Sequence, residues 1–164
     1  MSDIKEILSK YKKIAMVGVS NDPQKASTIV MKYMQKYGFK VYPVNPKAKE
    51  KKILGEQVFE KITDIKDQVD IVDVFRPSKE VYAIAEDTIK IGAKVLWLQL
   101  GIKNDEAKQL VESKNIQYID HLDFHHKHQT LCHYFWLYNN LNHQLYLDSF
   151  DTRMNLGQDR HNFD

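Results

Sequence analysis

The sequence predicts an α/β fold, a doubly wound parallel sheet of about five strands with helices on both faces. Short apolar runs of strand length recur along the first 120 residues, and amphipathic helical stretches alternate with them. Most runs also close at a glycine, proline or asparagine, where a strand would hand over to a loop.

Residues 3 to 11 place Ile4, Ile7, Leu8 and Tyr11 at helical spacing among Lys and Glu, which predicts a short amphipathic lead-in helix. The run Ile14-Ala15-Met16-Val17-Gly18-Val19, ended by Ser20-Asn21-Asp22-Pro23, has the length and limits of a strand buried on both faces. From Ala26 to Tyr37 the apolar positions Ile29, Val30, Tyr33, Met34 and Tyr37 recur every three or four residues, and Gly38 follows as a stop, so this is a helix. Phe39 to Val44 is a strand closed by Asn45-Pro46, and Val69 to Phe75 another closed by Arg76-Pro77. Asp70 and Asp73 in the latter read as marking its ends or pairing locally. Ser78 caps a helix whose inner face is Val81, Ile84, Ala85, Thr88 and Ile89 and which ends at Gly92. A strand from Lys94 to Leu100, punctuated by Gly101, a helix from about Asp105 to Ser113 and a strand from Ile116 to Ile119 complete the series. Alternation at this spacing implies right-handed crossovers and a Rossmann-like domain.

The chain of 164 residues is near the usual size of one domain, long enough to enclose a core without disulfides or structural metal. A net charge of +2 supplies no global drive toward nucleic acid or anionic membrane, although it tolerates a local anion site. A single cysteine, Cys132, excludes an internal disulfide framework and fits a reducing compartment. With no apolar signal region at Met-Ser-Asp-Ile-Lys-Glu and no uncharged stretch of spanning length, the expectation is a cytoplasmic protein. Composition changes at Asp120: all seven histidines lie at or after His121, and no glutamate follows. Residues 1–120 therefore read as the folded domain and 121–164 as a divergent His-rich segment, with one helix over about 133–147 and then a flexible tail.

In an open parallel sheet a ligand sits outside the carboxyl ends of the strands, where helix N-termini offer unpaired N–H groups. Four segments converge there. After strand one, Gly18 lets backbone approach a ligand, Val19 and Ser20 follow it, and Lys25 and Ser27 stand at the start of the next helix. A Gly-x-Ser loop alone is weak evidence, equally a plain turn and helix cap. After strand two come Val44, Asn45 and Pro46. NAD-binding domains commonly put a carboxylate here, roughly twenty residues past the glycine loop, and Asn45 is not one. Lys47, Lys49, Lys51 and Lys52 follow, a cluster able to meet the extra ribose phosphate of coenzyme A or of NADP, or simply a solvated basic loop. Phe75, Arg76 and Pro77 end strand three, where Arg76 reads as a phosphate fork or as a surface ion-pair partner. Gln99, Gly101 and Ile102 end strand four and can hydrogen-bond a ligand, while Trp97 packs against a helix.

Taken in order, the strings VGVS, PVNP, ILGE, DIVDVFRP and LWLQLGI, which span about residues 10 to 120, resemble the small bacterial CoA-binding proteins. Those are similar in turn to the nucleotide-binding domain of the succinyl-CoA synthetase α subunit. The resemblance implies coenzyme A, or an acyl-CoA, as ligand. By position it implies contacts from Gly18, Val19, Ser20, Lys25 and Ser27, from Val44, Asn45 and Pro46, from Phe75, Arg76 and Pro77, and from Gln99, Gly101 and Ile102. It stops near Asp120. Where the family continues with an Asp-Arg-Cys type motif, this chain reads Asp120-His121-Leu122, and no family role carries over to Cys132.

Two other functions compete with this. The lysine loop suits an NADP-binding oxidoreductase, but no Tyr-x-x-x-Lys pair accompanies it. His121, His125, His128, Cys132 and His133 contain i, i+4 pairs that suit zinc or nickel on a helix, yet no flanking motif fixes a geometry, so no metal ligands are assigned. No Ser-His-Asp order, paired-carboxylate logic or Walker lysine is evident either. The sequence thus reads as a binding module with no catalytic residues, its ligand a small nucleotide and any partner enzyme unknown.

Overall fold

The structure is a computed structural model, and it describes residues 4–99 and 101–120. Chain order is α1 (Ile4–Lys10), β1 (Lys13–Val17), α2 (Ala26–Lys36), β2 (Lys40–Val44), β3 (Lys52–Ile53), β4 (Glu56–Gln57), β5 (Ile71–Val74), α3 (Val81–Lys90), β6 (Val95–Leu98), α4 (Asp105–Glu112) and β7 (Gln117–Ile119). Five strands form one parallel sheet in the order β2-β1-β5-β6-β7. The chain first steps outward from β1 to β2 and then crosses back to β5 on the other side of β1. That reversal is the topological switch point at which a doubly wound sheet opens a crevice beyond its carboxyl edge.

Apart from the buried Asp73 of β5, each central strand is apolar on both faces because helices cover both. Ile14, Met16, Ile71, Val95 and Trp97 join Ile7 and Leu8 of α1 and Val30, Met31, Tyr33 and Met34 of α2 in one core cluster. Ala15, Val17, Val72, Val74, Leu96 and Leu98 join Val81 and Ala85 of α3 and Ala107 and Val111 of α4 in the other. The expected fold class, element order and core faces are therefore present, and Trp97, fully buried, packs in the cluster that α2 completes. Gly38, at φ +82, closes α2 as anticipated: its N–H reaches Gln35 O, and Phe39 N–H reaches back to Met34 O at 3.1 Å.

Three details differ from the sequence reading. β1 ends at Val17, because Gly18 at φ +95 turns the chain out of extended geometry. Ser78 does not cap α3. It begins a 3-10 turn, Ser78–Glu80, and its hydroxyl accepts from Lys103 N–H instead. Within the basic stretch after β2, the antiparallel pair β3–β4 forms a hairpin whose turn is Leu54-Gly55, both at positive φ. No described helix is long and apolar enough to cross a membrane, and no cluster of three or more metal-ligating side chains occurs among the described residues. The His-rich cluster and the expected helix over 133–147 lie outside the described residues.

Candidate functional site at the carboxyl edge of the sheet

The loops after β1, β2, β5 and β6 are stitched together by backbone bonds that continue past the strand ends. Gly18 N–H donates to Val44 O at 2.8 Å, Phe75 N–H to Val17 O at 2.8 Å, and Gln99 N–H to Val74 O at 3.3 Å. At the switch point the first and third loops touch. A Cβ on Gly18 would stand 2.8 Å from Arg76 Cδ and 2.9 Å from Phe75 O, distances no side chain tolerates. Glycine is needed here for a close approach of protein to protein as well as for its positive φ.

The loop after β1 wraps the start of α2. Ser20 N–H donates to Ser27 Oγ, Thr28 Oγ1 donates to Ser20 O at 2.6 Å, and Asp22 N–H donates to Ser20 Oγ. Lys25 is the N-cap and offers no side-chain cap to the helix. Its exposed ammonium is thus left beside the first turn of α2, where the helix dipole favours an anion.

Asn45 joins the first loop to the second. Its Nδ2 donates to Val19 O at 2.9 Å while its Oδ1 accepts from Lys47 N–H at 2.9 Å. A carboxylate at this position would set an oxygen against the Val19 carbonyl, so the amide, whose two ends are a donor and an acceptor, is dictated locally. Between these two loops opens a cleft of about 440 Å³ lined by Ser20, Asn21, Asp22, Asn45, Lys47, Ala48, Lys49 and Glu50.

A match to the model of the CoA binding domain family covers residues 12–122. The chain belongs to that family. A Bacillus subtilis relative, uncharacterized protein YneT, is 40% identical over 113 residues, 69% of this chain and 82% of its own length. The α subunit of an ADP-forming acetate–CoA ligase I of Pyrococcus furiosus is 35% identical over 119 residues, 66% of this chain but 26% of the subunit. The chain thus spans about a quarter of that ligase subunit. Among solved structures, a hypothetical protein from Pyrococcus horikoshii OT3 superposes with a TM-score of 0.68 at 41% identity, over 71% of this chain and 81% of that one. A dinucleotide-forming acetyl-coenzyme A synthetase of Ca. Korarchaeum cryptofilum, in complex with phosphate and ADP, does so at 0.61 and 28% identity, over 73% of this chain and 27% of that one.

Within this CoA binding domain thirteen of the fourteen residues singled out from the sequence fall on the loops at one sheet edge or the first turn of α2 and Val44 ends β2, but only Ser20 and Asn45 line the cleft. Val19 and Val44 are buried beneath it, Ser27 is turned toward Ser20, and Pro46 is exposed beside Asn45. Arg76 takes the ion-pair role: its Nε and Nη2 donate to the two carboxylate oxygens of Glu80 at 2.7 and 2.9 Å. That fork holds the Glu80 carboxyl below its usual range and raises the guanidinium further. Phe75 packs into the α1–α2 cluster and Ile102 into the other, with Ile102 N–H closing a turn onto Gln99 O.

Gln99 is the least expected. Its side chain is buried, and its Nε2 donates to Oδ1 of the fully buried Asp73 at 2.6 Å. Asp73 therefore neither marks a strand end nor pairs locally. Asp70 does sit at the strand entrance, its Oδ2 accepting from Lys12 and Lys13 N–H. Sequence reasoning also missed Asn104, which accepts from Ala107 N–H to cap α4 and donates through Nδ2 to Ser78 O, tying the loop after β6 to the loop after β5. An Asn directly ahead of Asp105-Glu106 was the available signal.

Proposed function

We propose that the domain binds coenzyme A or an acyl-CoA across the loops after β1 and β2. The observation that carries this reading is the cleft that Lys47 and Lys49 flank on one side and the loop leading into α2 flanks on the other, in a chain of the CoA binding domain family. The diphosphate would lie at the first turn of α2, met by backbone N–H groups there and by Lys25. Lys47 and Lys49 suit the ribose phosphate, with the adenosine beside Val44, Asn45 and Pro46. The remainder of the ligand would run along Phe75, Arg76 and Pro77 toward Gln99, Gly101 and Ile102. We read the chain as holding the coenzyme and assign no reaction to it. Its likeness to part of a ligase α subunit supports a role in presenting the ligand to a partner enzyme.

Calorimetric titration with CoA, acetyl-CoA, dephospho-CoA, NADPH and NADH tests this. CoA and acetyl-CoA should bind, dephospho-CoA more weakly, and the two nicotinamide dinucleotides weakest. Preference for NADPH, or no heat with CoA, would overturn the assignment.

A further inference from the structure

The loop after β1 has a cation against it that does not line the cleft. A Cβ on Gly18 would meet Arg76 Cδ at 2.8 Å and Arg76 Cγ at 3.2 Å, so the stem of Arg76 lies along this loop. Its guanidinium begins one bond further on, beside the chain that leads into α2. Arg76 spends its Nε and Nη2 donors on the two oxygens of the Glu80 carboxylate. A planar fork of this kind fits phosphoryl oxygens as well as it fits a carboxylate.

Glu80 reaches the fork from the N-terminal end of α3, a helix to which it offers no side-chain cap. Its carboxyl is held below the usual range by the Arg76 hydrogen bonds first, and further by the charges of Arg76, Lys47 and Lys79. Lys47 belongs to the cleft wall. One carboxylate thus stands among three cations at the point where the loops after β1 and β5 touch, occupying a place suited to an anion.

The hold on it is weak. The Arg76 and Glu80 side chains are 24% and 37% exposed, and an exposed pair contributes at most about fivefold to its own equilibrium. A released Glu80 carboxylate would remain at the start of α3, where the helix dipole favours it. A diphosphate brings two charges to the fork where the carboxylate brings one.

We propose that Glu80 is a built-in competitor for the ligand's anionic group: its carboxylate holds the Arg76 fork until phosphoryl oxygens of the ligand replace it. The exchange makes the fork selective, since a singly charged anion gains little by displacing a carboxylate and a multiply charged one gains more. This rests on the reading that the ligand's diphosphate lies at the first turn of α2, beside Gly18.

The test is calorimetric titration of the full chain with inorganic pyrophosphate and, separately, with CoA. Wild type is compared with Glu80→Gln, Arg76→Gln, the two combined, and Glu50→Gln, which removes the same charge from the cleft wall without touching the fork. Glu80→Gln should bind pyrophosphate and CoA about threefold to fivefold more tightly. Glu50→Gln should gain less, and in the absence of Arg76 the Glu80 change should have no effect. Unchanged or weaker binding by Glu80→Gln, an equal gain from Glu50→Gln, or a gain that persists without Arg76 overturns the exchange. So does a failure of Glu80→Gln to bind either compound.

The two readings fail separately. If pyrophosphate shows the expected pattern and CoA does not bind, the coenzyme assignment falls and the exchange stands. If CoA binds wild type and Glu80→Gln equally, the assignment stands and the exchange falls. Should Glu80→Gln fail to fold, the nitrogen resonance of Arg76 Nε in the wild type decides: it should move as pyrophosphate is added, and a resonance that stays in place at saturation ends the proposal.

Discussion

Between β1 and β2 the rim opens into a cleft of mixed charge, Lys47 and Lys49 with Asp22 and Glu50, whose two walls Asn45 pins together by bonds to Val19 O and Lys47 N–H. Between β5 and β6 the described loops are bonded to one another. Gln99 is folded down onto Asp73, and Asn104 holds the two loops together through Ser78 O. Each half uses an asparagine to join neighbouring loops, and in the first Lys47 and Lys49 stand beside a space. The contrast teaches that loop-to-loop bonding and ligand capacity are separable: one half opens a cleft, the other ties its loops together over Asp73, and Gly18 lies where they meet.

The sharpest way to break that division is at the meeting point. Gly18→Val forces a Cβ against Phe75 O and Arg76 at a backbone angle valine avoids, so we expect a stability loss of about 3–5 kcal/mol. The denaturation midpoint should drop along with any ligand binding, whereas a pure ligand-approach role would spare the midpoint. Next, Asn45→Asp removes the donor to Val19 O and sets two oxygens face to face, an expected cost of about 2 kcal/mol. An unchanged urea midpoint would show that the loops after β1 and β2 do not depend on this bridge.

A smaller effect separates charge from scaffold. Replacing both Lys47 and Lys49 by Gln should weaken CoA about tenfold, close to 1.4 kcal/mol, while leaving dephospho-CoA affinity and thermal stability nearly unchanged. Equal weakening of both ligands would move the ribose phosphate away from these lysines. Least of all, Glu80→Gln should cost under about 1 kcal/mol, because the Arg76–Glu80 fork is partly solvated, Glu80 being 37% exposed. A larger loss would mean that Arg76 depends on this pair to stay beside Gly18.

Most of the architecture was legible because parallel strands buried on both faces are written as unbroken apolar runs. IAMV, VYPV and VLWL can be read that way without any knowledge of their neighbours. The hairpin of β3 and β4 escaped because two-residue strands carry no period. Its turn also places Leu54 at φ 47, a conformation leucine seldom takes, so only Gly55 hinted at it. The loops of the site were found, but not their wiring. Asn45 was read as the absence of a carboxylate, when its amide is in fact required by Val19 O on another loop. Asp73 and Gln99 lie 26 positions apart, and nothing in either local stretch says that one is folded onto the other. Such pairings are set by the register of β5 against β6, which local pattern does not encode.

The outer margin of β2 is closed at its carboxyl end. Phe59 donates to Pro43 O and accepts from Asn45 N–H, and proline itself offers no donor, so over residues 43–45 the ladder has no free rungs on that side. An incoming strand from another molecule finds no free backbone group over residues 43–45, so this end of the edge resists edge-to-edge pairing.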